Sequence, residues 1–323
     1  MGGLREFRAK CFCFVIAGLA AALSGCSRAA FYAHFVPYYF AGHAPKAECS
    51  DGPGFRYCLH RAPGGVDDGK STLYFLHYAG GSEQSWSKIP VSRVYYAEFA
   101  RRGLPPPRVV TISFGPYWTL FDAPGPLSPE GRFPVFVNKV IPFIEGKIGT
   151  PARRFIWGMS QGGLNAAELV LRRPDLWSGA VFSCPGWYTT SVFATGPAFE
   201  DYVRRTGGAR KTVRWGMGLI RDRVASLEAW EREDPLERAK TAKGLPPVYI
   251  DCTREDEFGF YEGARLMDKR LRASGQTVTF REERGKHCEL DARAAARFLA
   301  ERVGQRPLDA STGAASSGPD VAK

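Results

Sequence analysis

A chain of 323 residues, 44% hydrophobic and 13% aromatic, can bury a full core in one large domain, which excludes a wholly disordered or low-complexity protein. The formal net charge of +11 comes from cations scattered as pairs, such as Arg153-Arg154, Arg172-Arg173 and Arg204-Arg205. With no long basic tract and no interleaving of basic and aromatic residues, these read as solvated surface, and nucleic acid is not an expected partner.

At the N-terminus, Arg5, Arg8 and Lys10 precede an apolar run from Cys11 to Leu23. The run is shorter than the roughly 20 residues that a membrane-spanning helix needs, and its flanks are those of a signal peptide. It ends in Leu23-Ser24-Gly25-Cys26, which resembles the bacterial lipobox, where small residues permit cleavage just before a cysteine that becomes lipidated. That resemblance implies a signal peptide over 1–25 and a lipid anchor on Cys26. With Ser27 following, it also implies the bacterial cell envelope, at the outer membrane facing the periplasm. Export permits disulfides. Cys49 and Cys58 flank the turn Asp51-Gly52-Pro53-Gly54 and could pair locally, while no cysteine spacing resembles a zinc site.

An N-terminal segment over 26–65 ends in a possible strand at 55–60. From there the pattern alternates. Strands are expected over 71–77, 108–114, 153–157, 178–184, 247–252 and 277–281. Helices are expected over 134–148, 161–173, 260–273 and 290–303, the first bent by Pro142. Strands alternating with amphipathic helices call for an α/β fold, a mostly parallel sheet covered on both faces, over 66–305. The stretch at about 187–245, with Trp187, Trp215 and Trp230, breaks the rhythm and reads as a helical insertion or cap. Beyond Arg306 the composition collapses to Ala, Ser, Gly, Thr and Pro, as in a disordered tail over 306–323.

The most specific motif is Gly158-Met159-Ser160-Gln161-Gly162-Gly163, with the apolar strand Phe155-Ile156-Trp157 before it and an amphipathic helix after it. A serine on a sharp strand-to-helix turn needs glycines two residues to either side, where any side chain would collide. It also stands at a helix N-terminus, where developing negative charge is favoured. Together with Arg172-Arg173-Pro174-Asp175-Leu176-Trp177 and Ala180-Val181-Phe182-Ser183, the motif resembles the esterase D / enterochelin-esterase-like group of α/β-hydrolases. That group also holds S-formylglutathione hydrolases, feruloyl esterases and mycolyltransferases, and the likeness covers roughly 70–300. It implies an α/β-hydrolase fold with the cap before the acid-bearing strand, and Ser160 as nucleophile.

A serine hydroxyl needs a base, and the base needs an orienting acid. The fold orders these Ser, Asp or Glu, His. His287, in Gly285-Lys286-His287-Cys288 after the last predicted strand, matches the family's Gly-x-His pattern. In Asp251-Cys252-Thr253-Arg254-Glu255-Asp256-Glu257-Phe258, matching the family's Asp-x-Phe selects Asp256, with Glu255 its rival; Glu255 and Glu257 are otherwise expected in solvent. The first oxyanion donor would be the backbone N–H of Gln161. The second would be that of Ala79, or else Tyr78, in His77-Tyr78-Ala79-Gly80-Gly81, which resembles the family's His-Gly-x-Gly-Gly run except at Tyr78. His77 is either a loop-orienting residue or a plain strand-end residue.

Tyr78, Trp118 and Trp187, with the insertion, are expected to line the substrate pocket, and Cys252 and Cys288 to pair as a disulfide buttressing acid and base. No cofactor or metal motif appears. The expected activity is serine-dependent hydrolysis of small-molecule or polysaccharide carboxylic esters. The alternatives are acyl transfer or ester depolymerisation on the same residues, or a non-catalytic binding lipoprotein.

Overall fold

The computed structural model describes residues 46–122, 131–224 and 226–305; the expected signal peptide, Cys26 and the tail over 306–323 lie outside the described residues. Eight strands form one sheet in the order β1-β2-β4-β3-β5-β6-β7-β8. They are β1 (Lys46–Gly52), β2 (Phe55–Arg61), β3 (Ser71–Leu76), β4 (Arg108–Ser113), β5 (Arg153–Met159), β6 (Gly179–Ser183), β7 (Val248–Thr253) and β8 (Val278–Glu283). β1 pairs antiparallel with β2, and β2 antiparallel with β4; β4, β3, β5, β6, β7 and β8 run parallel. The sheet therefore takes in the chain from residue 46. Cys49 and Cys58 face each other in the β1–β2 register and form a disulfide, as the flanked turn suggested.

Side chains alternate across a strand, so a sheet covered on both faces makes two cores. Along β7, Val248, Ile250 and Cys252 enter one core and Tyr249 the other; along β5, Ile156 enters the first, and Phe155 and Trp157 the second. Helices α1 (Val91–Arg101) and α9 (Ala292–Gly304) pack over the second core. Over the first lie α2 (Ile141–Ile148), α3 (Gln161–Arg172) and α8 (Phe260–Ala273). The bend expected at Pro142 is a π-helical stretch, Phe136–Val140, leading into α2, whose first turn holds the proline. A proline removes one backbone donor, and the wider turn accommodates that loss.

The insertion between β6 and β7 is helical, with α4 (Gly196–Thr206), α5 (Arg210–Arg221), α6 (Leu227–Glu233) and α7 (Pro235–Arg238). It is fastened to the body by the Tyr202 hydroxyl, which donates to the Phe258 carbonyl, and by the Ala209 N–H, which donates to that of Glu257. The Arg223 guanidinium adds a third bond, to the Tyr117 carbonyl. Among the described residues no helix is long and apolar enough to cross a membrane.

Asp251 lies inside β7, fully buried, and burial pushes its pKa up to about 8. Below an unfolded value near 3.9 both states hold the proton, whereas between that value and 8 only the folded state does. Ionisation therefore favours unfolding increasingly as pH rises. Asp251→Asn is expected to gain stability over the parent progressively from pH 4 to pH 8, read from urea midpoints. An equal gap at both pH values would refute the assignment.

Candidate active site

β5 runs straight into α3, and Ser160 is the single residue between them. Its φ of 53° and ψ of −116° lie where side-chain-bearing residues are rarely found, a strain of order 1–3 kcal/mol that the surrounding structure must hold. The two glycines of the motif are required by space. A Cβ at Gly158 would lie 2.0 Å from the Gly162 carbonyl oxygen, and one at Gly162 would lie 2.0 Å from that of Leu76. The Ser160 backbone is held on both sides by the end of β6: its N–H donates to the Ser183 carbonyl (2.9 Å), and its carbonyl accepts from the Gly186 N–H (3.1 Å).

Three residues that sequence reasoning singled out, far apart in the chain, come together here. Ser160 Oγ lies 2.9 Å from His287 Nε2, and His287 Nδ1 lies 2.6 Å from Asp256 Oδ2. Asp256 is buried and also accepts the Phe258 N–H through Oδ1 (2.9 Å), so its carboxylate is fixed at both oxygens. Glu255 is exposed, as expected, and Glu257 is half-buried, and both also bond the histidine loop. Glu257 accepts the backbone N–H of His287 (2.8 Å), and Glu255 accepts that of Gly285 (2.6 Å), which helps hold its pKa below the usual range. The Phe258 ring packs against the imidazole at 4.6 Å. Residues 255–258 thus grip the histidine loop at four points, and Asp256 is the carboxylate that faces the ring.

The disulfide expected between Cys252 and Cys288 is not formed. Cys288 is bonded to Cys184, and Cys252 is free and buried. Alternation along β7 is the cause. Cys252 points into the first core with Ile250, whereas Cys184 and Cys288 belong to the second.

The loop after β3 lies beside the serine, and Tyr78 and Ala79 line the same cavity as Ser160, Gln161 and His287. His77 orients this loop. Its Nδ1 donates to the Tyr78 carbonyl (2.8 Å) and its Nε2 accepts from the Trp118 indole (2.9 Å), with Ser113 Oγ also at 2.9 Å. Burial pulls its pKa down to about 4, so the ring stays neutral and one tautomer serves both bonds.

The cavity is about 560 Å³. Most of its remaining wall comes from the cap helix α5 (Lys211, Thr212, Trp215, Gly216, Leu219, Ile220) and from Phe258 and Phe260, with Met159, Leu164, Gly186, Glu257 and Cys288 completing it. Trp118 and Trp187 do not line it, contrary to expectation. Trp118 is fully buried behind the loop, bonded to His77, and Trp187 packs at 5.6 Å on Phe182 in the core beneath the elbow. Trp215 is the tryptophan at the mouth, 49% exposed, with its ring flanked by Tyr117 and Phe258. The available signal was the period of α5, where residues 211, 215 and 219 fall on one face.

Because Trp118 is a core residue, Trp118→Ala is expected to cost about 3–5 kcal/mol of stability in denaturant unfolding. Trp215→Ala is expected to cost under about 1 kcal/mol while changing the ranking of p-nitrophenyl esters by chain length. The reverse pattern would overturn the assignment of the two rings.

A family described as "Putative esterase" matches residues 135–293, a span that holds the elbow serine, Asp256 and His287. No match is found among curated protein sequences. Among solved structures, a ferulic acid esterase superposes with a TM-score of 0.59 at 15% identity, over 80% of this chain and 99% of its own. LAE6, an alpha/beta hydrolase enzyme from the metagenome of Lake Arreo, Spain, solved as a serine-to-alanine mutant, gives 0.59 at 16%, over 86% and 89%. A Pyrobaculum calidifontis esterase gives 0.55 at 16%, over 84% and 89%. At such identities these likenesses speak for the fold, and the family match speaks for the chemistry. The chain has the α/β-hydrolase fold and, over residues 135–293, the sequence of an esterase family, and its activity is that of a serine ester hydrolase.

Proposed function

We propose that Ser160 is the nucleophile, His287 the general base and Asp256 the orienting acid of a two-step ester hydrolysis. The observation that carries this is the single imidazole bridging the Ser160 hydroxyl at 2.9 Å and the Asp256 carboxylate at 2.6 Å. With Nδ1–H donating to Asp256, the Nε2 lone pair faces the hydroxyl and takes its proton as Oγ bonds to the ester carbon. The tetrahedral oxyanion meets the Gln161 N–H at the start of α3, with the Ala79 N–H as its second donor. Each such donor is worth on the order of 3 kcal/mol in the transition state. His287 returns the proton to the departing alkoxide, leaving an acyl-serine. Water, deprotonated by the same nitrogen, then attacks the acyl carbon, releasing the acid and restoring Ser160.

The substrate is a small-molecule or polysaccharide ester whose bulk fits a cavity of about 560 Å³ with a largely apolar, aromatic wall. The enzyme works in the bacterial cell envelope, held by a lipid on Cys26 at the outer membrane facing the periplasm; the lipobox-like Leu23-Ser24-Gly25-Cys26 supports that placement. Metabolic labelling with an alkyne fatty acid should mark the parent and not Cys26→Ala. Equal labelling would remove the anchor.

A fluorophosphonate probe is expected to label the parent and not Ser160→Ala. That variant should lose about ten-thousandfold or more in kcat on p-nitrophenyl acetate, and Asp256→Asn a comparable amount. A parent that neither labels nor hydrolyses any ester of a chain-length series would end the catalytic reading. Labelling without hydrolysis, with acyl groups passed to an added alcohol, would turn it toward acyl transfer.

A further inference from the structure

We propose that the Cys184–Cys288 disulfide is a positioning element that sets the spacing between Ser160 and His287, so that opening it lowers turnover while the fold survives. The inference rests on the catalytic reading above.

Besides the Phe258 ring packed on the imidazole, two sets of links hold His287. The first ties its loop to the end of β7. Glu255 accepts from Gly285, Glu257 from the His287 N–H and Asp256 from the ring, and the Thr253 hydroxyl donates to the Lys286 carbonyl. Every partner in this set lies within 253–257, so the set fixes the imidazole against its acid and leaves its distance to the serine open. The second set is the disulfide. Cys288 follows His287 directly, its sulfur 3.5 Å from Nε2, and its partner Cys184 lies just beyond β6. Ser183 and Gly186, to either side of Cys184, hydrogen-bond the backbone N–H and carbonyl of Ser160. Cys184 is itself seated by its N–H on the Asp251 carbonyl (2.8 Å). The connection therefore runs from the nucleophile's backbone, through the end of β6, across one covalent bond, to the residue after the base.

No hydrogen-bond ladder could replace that bond. β6 and β8 are not neighbours, because β7 lies between them. Strands two apart are roughly 9–10 Å from each other, beyond backbone hydrogen bonding. The half-cystines close that distance to a Cα separation of 5.3 Å. Both adopt left-handed backbone, φ 43° at Cys184 and 61° at Cys288; Ser160 completes the set of non-glycine residues with positive φ among those described. Residues with side chains avoid this region, so a freed Cys288 has reason to leave it and carry His287 along.

A trialkylphosphine tests this. It gives two electrons to the disulfide; water supplies two protons and the oxygen of the phosphine oxide, and two thiols remain. The full-length Cys49→Ser/Cys58→Ser variant removes the hairpin disulfide from the reading. Because both remaining sulfurs are buried, Cys184→Ala/Cys288→Ala provides the same opening without reagent. Active sites are counted with the fluorophosphonate, thiols by mass spectrometry, and secondary structure by circular dichroism. As two thiols appear, kcat per labelled site on p-nitrophenyl acetate should fall about tenfold to hundredfold, the range for a misplacement near 1 Å. KM should stay within about twofold, and oxidised glutathione should restore the rate. The inference is overturned if kcat per site is unchanged with both thiols free, or if activity falls only in step with labelled sites and ellipticity. If the oxidised parent neither labels nor hydrolyses, the failure lies with the catalytic reading instead.

Discussion

The structure turns on a strained serine. A residue at φ 53° between β5 and α3 has no reason to stay there by itself, and local sequence cannot hold it. It is held because the elements around it approach too closely for any other arrangement. Glycines at 158 and 162 let backbone meet backbone, and the end of β6 grips the serine's own amide and carbonyl. What the strain provides is direction. The hydroxyl projects above the sheet at a helix N-terminus, beside the His77–Gly81 loop, where both an imidazole and backbone donors can converge. A relaxed serine would lie along the sheet and meet neither.

The opposite side of the site follows another logic. His287 sits in a short loop with little structure of its own, so its position is assembled from contacts: Asp256 on the ring nitrogen, Glu257 on the backbone, Phe258 against the ring face and the disulfide behind it. The same residues 256–258 also hold the cap, through the Glu257 and Phe258 carbonyls that accept from Ala209 and Tyr202. One three-residue stretch therefore orients the acid and anchors the base. It also fixes the helix that closes the cavity, so the shape of the pocket and the placement of the base cannot vary independently.

How far this was legible in the sequence depends on the range of the interaction. The elbow was legible because its signature is local, two glycines and a serine between a strand and a helix, although the contacts that hold it come from β3 and the end of β6. His287 and Asp256 were reached through chain order and short patterns around them. The disulfide was misread because chain proximity to the acid favoured Cys252, whereas partner choice is made by which face of β7 a side chain leaves. The roles of Trp118 and Trp187 were misread for a related reason. Leaving a strand at the catalytic edge says nothing about whether the chain then turns inward, as it does after Gly115, to bury Trp118 against His77. For Trp215 the period of α5 gives the shared face with 211 and 219, but not that this face turns toward the catalytic edge.

The neighbouring carboxylates Asp251 and Asp256 illustrate how environment alone assigns roles. Both are buried, one within β7 and the other just beyond it. Asp256 lies past the strand, in a turn, where the histidine ring and a backbone N–H both point at it, so its charge has donors. Asp251 is in the strand itself, where neighbouring strands consume the backbone donors, and burial dominates, pushing its pKa up to about 8. A neutral acid cannot stabilise an imidazolium, and a charged one inside the strand would be costly to bury. A displacement of five residues along one chain separates an acid able to orient a base from one that is only packed.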